Sequence, residues 1–537
     1  MNRASHLLRL LGLFTLAVCY LASAWRVWQI ESKTSDPSRV HLRFGHDMLH
    51  SSVRKAYADA IADYRKLHPD VEIDVMEVPS RMFSTWRKTR LVGETPPDMM
   101  RMGSGLTNEE LAQYFVPLTA YVEQPNPYNR GTPLEKIPWK DTIIDGMGSE
   151  MSYSKDLMEY YGITYVTRTY RFYCNLDLLR RITGSEHLPI TLSEFFDLCE
   201  TIKTWARSHG ESVIPIAAYL ESPRALLTPL LRLQTQRLTL EVNRSRTLTV
   251  SNNQAALAWL HGDWAVDAAP VTDGWEMMRR VSQNLHPSFI QEQRNDASLG
   301  FLQQHAVMIA SGTFDANDFM NHGRFRCGVF RLAPPAPGNE PFWRNVIDAS
   351  PDPAIGGGAG TLGILRASAH FDVALDFLRF LTSAAANRKL AATMQLLPAV
   401  VGVPTDPRLE AFALRVEGWP EGLDPQFTDW GNREIFRTVS VNLHHLVSPT
   451  GSVAEFTQAL AAAFPAAMQH DMDQVLTNSV LRAQRTDSVL MANRRLAGPA
   501  SAAKVSRLLE NQAVSEGELA QLRHALAEHG RRDGTAR

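Results

Sequence analysis

The glycine-rich turn Gly356-Gly357-Gly358-Ala359-Gly360 is the first place where phosphate chemistry could reside, because backbone N–H groups without side chains can approach an anion. The turn precedes a strand and does not open a helix, and it lacks the Lys-Ser/Thr pair of a P-loop and any dinucleotide spacing. A close backbone approach to a ligand, or a hinge, suits it better. Ser311-Gly312-Thr313 is no nucleophile elbow, since no Gly-x-Ser-x-Gly surrounds it. His444-His445 and His470 lack partners at metal-ligand spacing and read as surface histidines. Carboxylate pairs such as Glu109-Glu110 belong to solvated helix faces. Outside the leader, Cys174, Cys199 and Cys327 form an odd set at wide spacing. Cys199 reads as a buried thiol on the apolar side of a helix, and a bridge to Cys174 stays open. No catalytic constellation, cofactor site or metal site emerges.

What remains is aromatic and polar. The chain has 11 tryptophans, several near turns. Indole faces pack well against the C–H faces of sugars, while Asp, Asn and Arg satisfy hydroxyls with directional hydrogen bonds. Trp205 and Trp259 read as core residues. Trp86, Trp264, Phe314 and Trp343 are better placed for a cleft.

These groups must be positioned by alternating strands and helices. Val53, Tyr57, Ile61, Tyr64 and Leu67 recur at helical spacing. Pro69 stops that helix, and Val71, Ile73 and Val75 then alternate with acidic residues as a half-buried strand. With Val40, Leu42 and Phe44 ahead of them, they make a β-α-β unit. A helix over Met82–Val92, a short strand after Pro97-Asp98 and a helix capped by Thr107 or Asn108 follow. Residues 125–150 read as an irregular surface stretch. Alternation returns over Ile163–Asn175, and Thr191-Leu192-Ser193-Glu194 is a capping box for a helix ended by Gly210. Residues 225–300 are helical, and Ala306–Ala310, Val329–Leu332 and Leu362–Leu365 read as strands. After about 450 the chain is Ala/Gln/Arg-rich, with Ser515-Glu516-Gly517-Glu518 as a further helix start.

At 537 residues two or more domains are expected. A net charge of -2 with 44% apolar residues excludes an obvious nucleic-acid partner. Arg3 and Arg9 precede the uncharged run Leu10–Trp25, which suits a secretory h-region with Ala22-Ser23-Ala24 as a cleavage pattern. Retention as a membrane anchor and lipidation at Cys19 are the alternatives.

In order, these pieces resemble the extracellular solute-binding proteins (family 1) of bacterial ABC transporters, of the sugar- and oligosaccharide-binding type. The matching motifs are His68-Pro69-Asp70-Val71, Pro97-Asp98, Val116-Pro117-Leu118-Thr119 and Tyr173-Cys174-Asn175-Leu176-Asp177. They continue through Leu188–Phe195, Ala306–Gly312, Gly357-Gly358 to Gly363-Ile364, Ala374–Leu381 and Leu396-Leu397-Pro398-Ala399. The likeness spans roughly residues 40–405. Leu192, Gln304 and Phe314 depart from the family's usual Trp, Gly and Trp.

The resemblance implies an α/β, two-lobed periplasmic-binding-protein fold with discontinuous lobes and a ligand cleft between them, closing by hinge motion. Its expected divisions are 1–30 as signal peptide or anchor, 40–165 plus 356–395 as lobe 1, and 166–355 plus 396–450 as lobe 2. Residues 451–537 would be a peripheral helical extension. Ligand contacts would come from His46, Asp47, Asp98, Arg171, Phe314, Asp315 and Gly357, with Trp343 added. The implied function is non-enzymatic: carriage of a carbohydrate to permease subunits, by a monomer at the periplasmic or extracellular face. The membrane would be a partner through an uncleaved N-terminus. The alternative is a membrane-tethered sensor built on the same fold.

Overall fold

Helix Ser51–Leu67 turns Val53, Ala56, Tyr57, Ala60 and Tyr64 inward, while Leu67, expected on that stripe, is exposed. His68 closes the helix through its N–H to the Tyr64 carbonyl, and the chain re-enters as a strand three residues later, at Val71. The computed structural model describes residues 39–532, with Val18 and Tyr20, except 94, 104–105, 150, 155–156, 223–225, 245, 353–359, 429–432 and 496–498. The leader Leu10–Trp25 and Gly357 therefore lie outside the described residues. Among those described, no helix is long and apolar enough to cross a membrane.

The chain divides into two units. The first ends at Thr167 and resumes over Ala354–Asp406. Its strands are β1 (Val40–His46), β2 (Val71–Glu77), β3 (Met99–Arg101), β4 (Tyr153–Ser154), β5 (Glu159–Tyr160) and β6 (Gly162–Thr167). β11 (Gly360–Ile364) and β12 (Leu397–Pro398) complete it. Six of these form one sheet in the order β12-β6-β11-β3-β1-β2, and β4 pairs with β5. β1 runs parallel to β2 and β3, and β11 runs antiparallel to β3 and to β6. The buried alternation of Leu42 and Phe44 follows from the pleat. Because β12 pairs with β6, and Val401 N–H bonds to the Thr142 carbonyl, the chain stays in this unit past 396. Residues 125–150 are irregular but not superficial: Trp139 is fully buried and its Nε1–H bonds to Thr382.

The second unit comprises Arg168–Pro353 and Pro407–Arg537. Its sheet has the order β10-β7-β9-β8, from β7 (Tyr170–Asn175), β8 (Ile214–Ala217), β9 (Ala306–Gly312) and β10 (Cys327–Phe330). β7 is antiparallel to β9 and β10, and β8 is parallel to β9. The single alternating run expected over 163–175 is thus two strands, one in each unit. Thr191 caps its helix by accepting from Glu194 N–H, but the Glu194 carboxylate accepts from Ile190 N–H, so the box is half formed.

The tail departs from expectation. Helix Val453–Arg495 is not peripheral over its first half: Phe456, Leu460, Phe464, Met468 and Met472 are buried in the second unit's core with Trp264 and Trp275. Helix Pro499–Arg532 runs unbroken through Ser515–Glu518, so no helix starts there. Cys174, Cys199 and Cys327 are free thiols.

Candidate functional site

In open α/β sheets, solutes bind beyond the carboxyl ends of the parallel strands. In the first unit that end carries His46, Glu77, Arg101 and Thr167, the last residues of β1, β2, β3 and β6. His46 is fully buried, its ring 4.8 Å from Tyr57 and 5.4 Å from Phe44 between centroids. Its Nδ1 accepts from Met48 N–H at 3.1 Å, which places the ring proton on Nε2. Nε2 has no hydrogen-bond partner among the described residues. Burial pulls the imidazole pKa down to about 4, so the ring is neutral near pH 7.

Asp47 pairs with Arg101, both largely shielded from water. Behind them the Tyr57 and Tyr165 hydroxyls meet in a short hydrogen bond. Burial raises both phenols, Tyr165 to about 12. Gly360 permits this packing, because a Cβ there would stand 2.4 Å from the Tyr165 ring. His46 and Asp47 are therefore brought together, with Arg101 as a partner that no motif had signalled.

Asp98 precedes β3 and so lies at the amino end of that strand, away from His46. Its carboxylate accepts from Arg43 N–H at 2.7 Å and from the Ser368 hydroxyl at 2.7 Å. It is a tie between strands, not a member of the cluster.

In the second unit, the pairing Tyr170↔Gly312 puts the start of β7 beside the end of β9. Phe314, half-buried just past β9, meets Tyr170 edge to face at 5.9 Å. The Arg294 guanidinium lies 4.5 Å from its ring centre and that of Arg168 lies 5.8 Å away. Asp315 is buried and accepts from Arg294 and the Ser311 hydroxyl. Tyr219, beyond β8, is within electrostatic reach of Tyr170, Arg294 and Asp315. Phe314 and Asp315 are thus joined by three residues that sequence reasoning missed: Arg168, Tyr170 and Arg294.

Arg171 points elsewhere and is 4% exposed, held by Asp352 and by backbone carbonyls. Trp343 belongs to the turn Phe342–Asn345, packed on helices Thr228–Gln234 and Ala269–Ser282, with its Nε1–H on Glu340. Trp264, expected near a cleft, is a core residue whose Nε1–H bonds to the Ala255 carbonyl at 2.8 Å. A groove of about 930 Å³ follows the sheet-edge strand β8, lined by Ile214, Leu285, His286 and Leu299 among others. None of the sequence candidates lines it. Among the described residues no group of His, Cys, Asp and Glu converges as a metal site.

The sequence model of the family described as bacterial extracellular solute-binding protein matches residues 59–414. No curated protein matches the chain. Among solved structures, the apo form of RafE from Streptococcus pneumoniae superposes with a TM-score of 0.53 at 16% identity, covering 80% of this chain and 98% of that one. The GacH receptor of Streptomyces glaucescens GLA.O gives 0.52 at 15% identity, covering 80% and 98%. A protein of xylan utilization from Caldanaerobius polysaccharolyticus gives 0.52 at 17%, covering 78% and 98%. At such identities the likeness is one of fold, the two-lobed α/β fold of binding proteins.

Proposed function

This chain belongs to the bacterial extracellular solute-binding proteins, a family that binds and does not transform its solutes, and from that premise we propose that it is the carbohydrate-binding subunit of an ABC importer. The observation that carries the reading is Phe314 at the carboxyl end of β9, flanked by Tyr170, Arg168 and Arg294. An aromatic face beside directional donors is what a sugar's C–H face and hydroxyl rim require. Support comes from structural neighbours: one RafE structure holds raffinose and a T. maritima MalE3 structure holds maltose.

On this reading Phe314 contacts the solute and Asp315 braces it, while His46, Asp47, Gly357 and Trp343 are further candidates. Arg171 and Asp98 drop out, since their polar atoms are engaged within the protein. The leader directs the protein across the cytoplasmic membrane, and the liganded form docks on permease subunits. Differential scanning fluorimetry against mono- and oligosaccharides is the direct test. Binding raises the melting temperature by mass action, and a flat response across a panel of both neutral and charged mono- and oligosaccharides sinks the carbohydrate assignment.

A second reading rests on the tail. Helices Val453–Arg495 and Pro499–Arg532 extend beyond the family match and expose Leu481, Val489, Met491 and Val514. A membrane-tethered sensor that reports occupancy through these helices accounts for them. N-terminal sequencing of the mature protein separates a retained leader from a cleaved one.

A further inference from the structure

We infer that the solute is anionic, a saccharide bearing carboxylate or phosphate that is recognised by arginines at the carboxyl end of the second unit's sheet. This rests on the carbohydrate reading above and narrows it to a charged class.

The topology makes the case first. β7 runs against β9 and β10, so the start of β7 and the ends of β9 and β10 share one end of the sheet. Arg168 enters there two residues before β7, Phe314 leaves just after β9, and Arg331 follows β10 directly. Arg294 reaches the same place through Phe314. Four chain segments thus bring guanidinium groups or their aromatic support to one edge.

The charges do not balance. Arg294 is answered by Asp315. Arg168 lies over Phe314 with no ion pair among the described residues. Nearby, Asp352 serves both Arg171 and Arg331, and also accepts from the Arg415 backbone N–H. The Arg415 side chain has no carboxylate partner among the described residues, yet lies close enough to Arg331 to disfavour its charge. Burial and the neighbouring Arg171 pull Arg331 down to about 10. Arg171, Arg331 and the nearby Arg415 therefore have Asp352 between them, Arg168 and Arg294 have Asp315, and counting Glu221 beside Tyr219 and Asp318 beside Tyr173 still leaves the balance positive. A whole-chain net charge of -2 makes the local excess a matter of placement, not composition.

A neutral sugar would leave Arg168 without a counter-charge, and Arg331 sharing Asp352 with Arg171, in a partly desolvated place. An anionic group supplies one, and charge-assisted bonds from a planar guanidinium are roughly twice as strong as neutral ones. Phe314 keeps Arg168 and Arg294 in position by cation–π contact.

Isothermal titration calorimetry on the full mature protein tests this with three probes: maltotriose, trigalacturonate and glucose 6-phosphate. It compares wild type, Arg168→Gln, Arg331→Gln and the exposed first-unit control Arg388→Gln, each checked for folding by circular dichroism. The expected result is binding of trigalacturonate or glucose 6-phosphate, which tells carboxylate from phosphate. Affinity should fall roughly 10- to 100-fold in Arg168→Gln, fall with added salt, and hold in Arg388→Gln. Because Arg331→Gln touches Asp352, Arg168→Gln decides if the other fails to fold. Binding of maltotriose alone, or anion binding indifferent to Arg168 and to salt, overturns the inference and leaves the carbohydrate reading standing. Binding of none of the three overturns the inference and counts against the carbohydrate reading as well.

Discussion

Arg171 and Asp352 form a two-pronged ion pair, Nη1 to Oδ1 at 3.0 Å and Nη2 to Oδ2 at 2.9 Å, across 181 residues of chain. The remaining donors of Arg171 go to the carbonyls of Tyr170, Ala411 and Ala413, so all of its N–H groups are engaged. Asp352 also accepts from Arg331 and from Arg415 N–H. This carboxylate fastens three segments of the second unit.

Asp352→Ala leaves the buried Arg171 guanidinium without its counter-charge, and a loss of about 3–5 kcal/mol is expected. Urea denaturation reads it as a lower midpoint at unchanged slope. The double variant Arg171→Met/Asp352→Leu removes both charges and should recover part of that loss. If Asp352→Ala unfolds at the wild-type midpoint, the pair is not the fastening described.

His46 predicts a pH dependence. Its folded pKa near 4 lies below the ordinary 6.5 because burial disfavours the cation. Between those values the unfolded chain binds a proton that the folded protein does not. Stability is therefore full above about pH 6.5 and falls as pH drops toward 4, by roughly 3 kcal/mol over the interval. His46→Phe should flatten that part of the stability profile, and an equal slope in the variant rules His46 out as its source.

The β-α-β opening was legible because Pro69 and a change of hydrophobic period both fall at one junction, where local signals agree. The site was legible only in part. Asp98 and His46 both flank strands, but residue order does not disclose that one precedes its strand and the other ends it, which is what puts them at opposite ends. Arg171 lies on a strand, but one buried on both faces and not alternating, and its partner Asp352 is too distant in sequence for any periodicity to reveal. Arg168 and Arg294 carried no motif, since their meaning comes from both lying against Phe314. Ser515–Glu518 misled for the opposite reason: a capping box is a purely local pattern, and helix Pro499–Arg532 passes through it.

Gly312 should control the position of Phe314. A Cβ on Gly312 would stand 2.2 Å from Phe314 Cε1 and 2.7 Å from its Cδ1. The ring is only half-buried and can swing away, so Gly312→Ala should cost little stability while displacing the platform under Arg168 and Arg294. Solute affinity should fall on the order of tenfold, about what one aromatic contact of 0.5–1.5 kcal/mol carries, and Phe314→Ala should fall at least as far. Titration calorimetry beside thermal melts makes the comparison. A variant with unchanged affinity would mean that Phe314 does not touch the solute.

Helix Val453–Arg495 should divide into two energetic halves. Phe456, Leu460, Phe464, Met468 and Met472 recur at four-residue spacing and are buried. Phe456 packs edge to face on Trp275 at 5.1 Å, and Phe464 lies against Trp259, Trp264 and Phe427. Asp471 reinforces this half by accepting from the N–H groups of Glu434 and Ile435 at 3.1 and 2.8 Å, capping the helix Glu434–Asn442. Beyond it, Leu481, Val489 and Met491 are about half exposed. Phe464→Ala should therefore cost about 3–5 kcal/mol through lost burial and a cavity, and Asp471→Ala about 1–2 kcal/mol through the lost cap. Leu481→Ala should stay within about 0.5 kcal/mol. Removing the chain after residue 450 should unfold the second unit, because it strips side chains from the same core that packs against β7 and β9. Denaturant midpoints for the three point variants and near-ultraviolet dichroism of the truncated chain decide it. A truncated protein that kept its aromatic signal and its solute affinity would make the helix an appendage, as the polar composition of the tail had suggested.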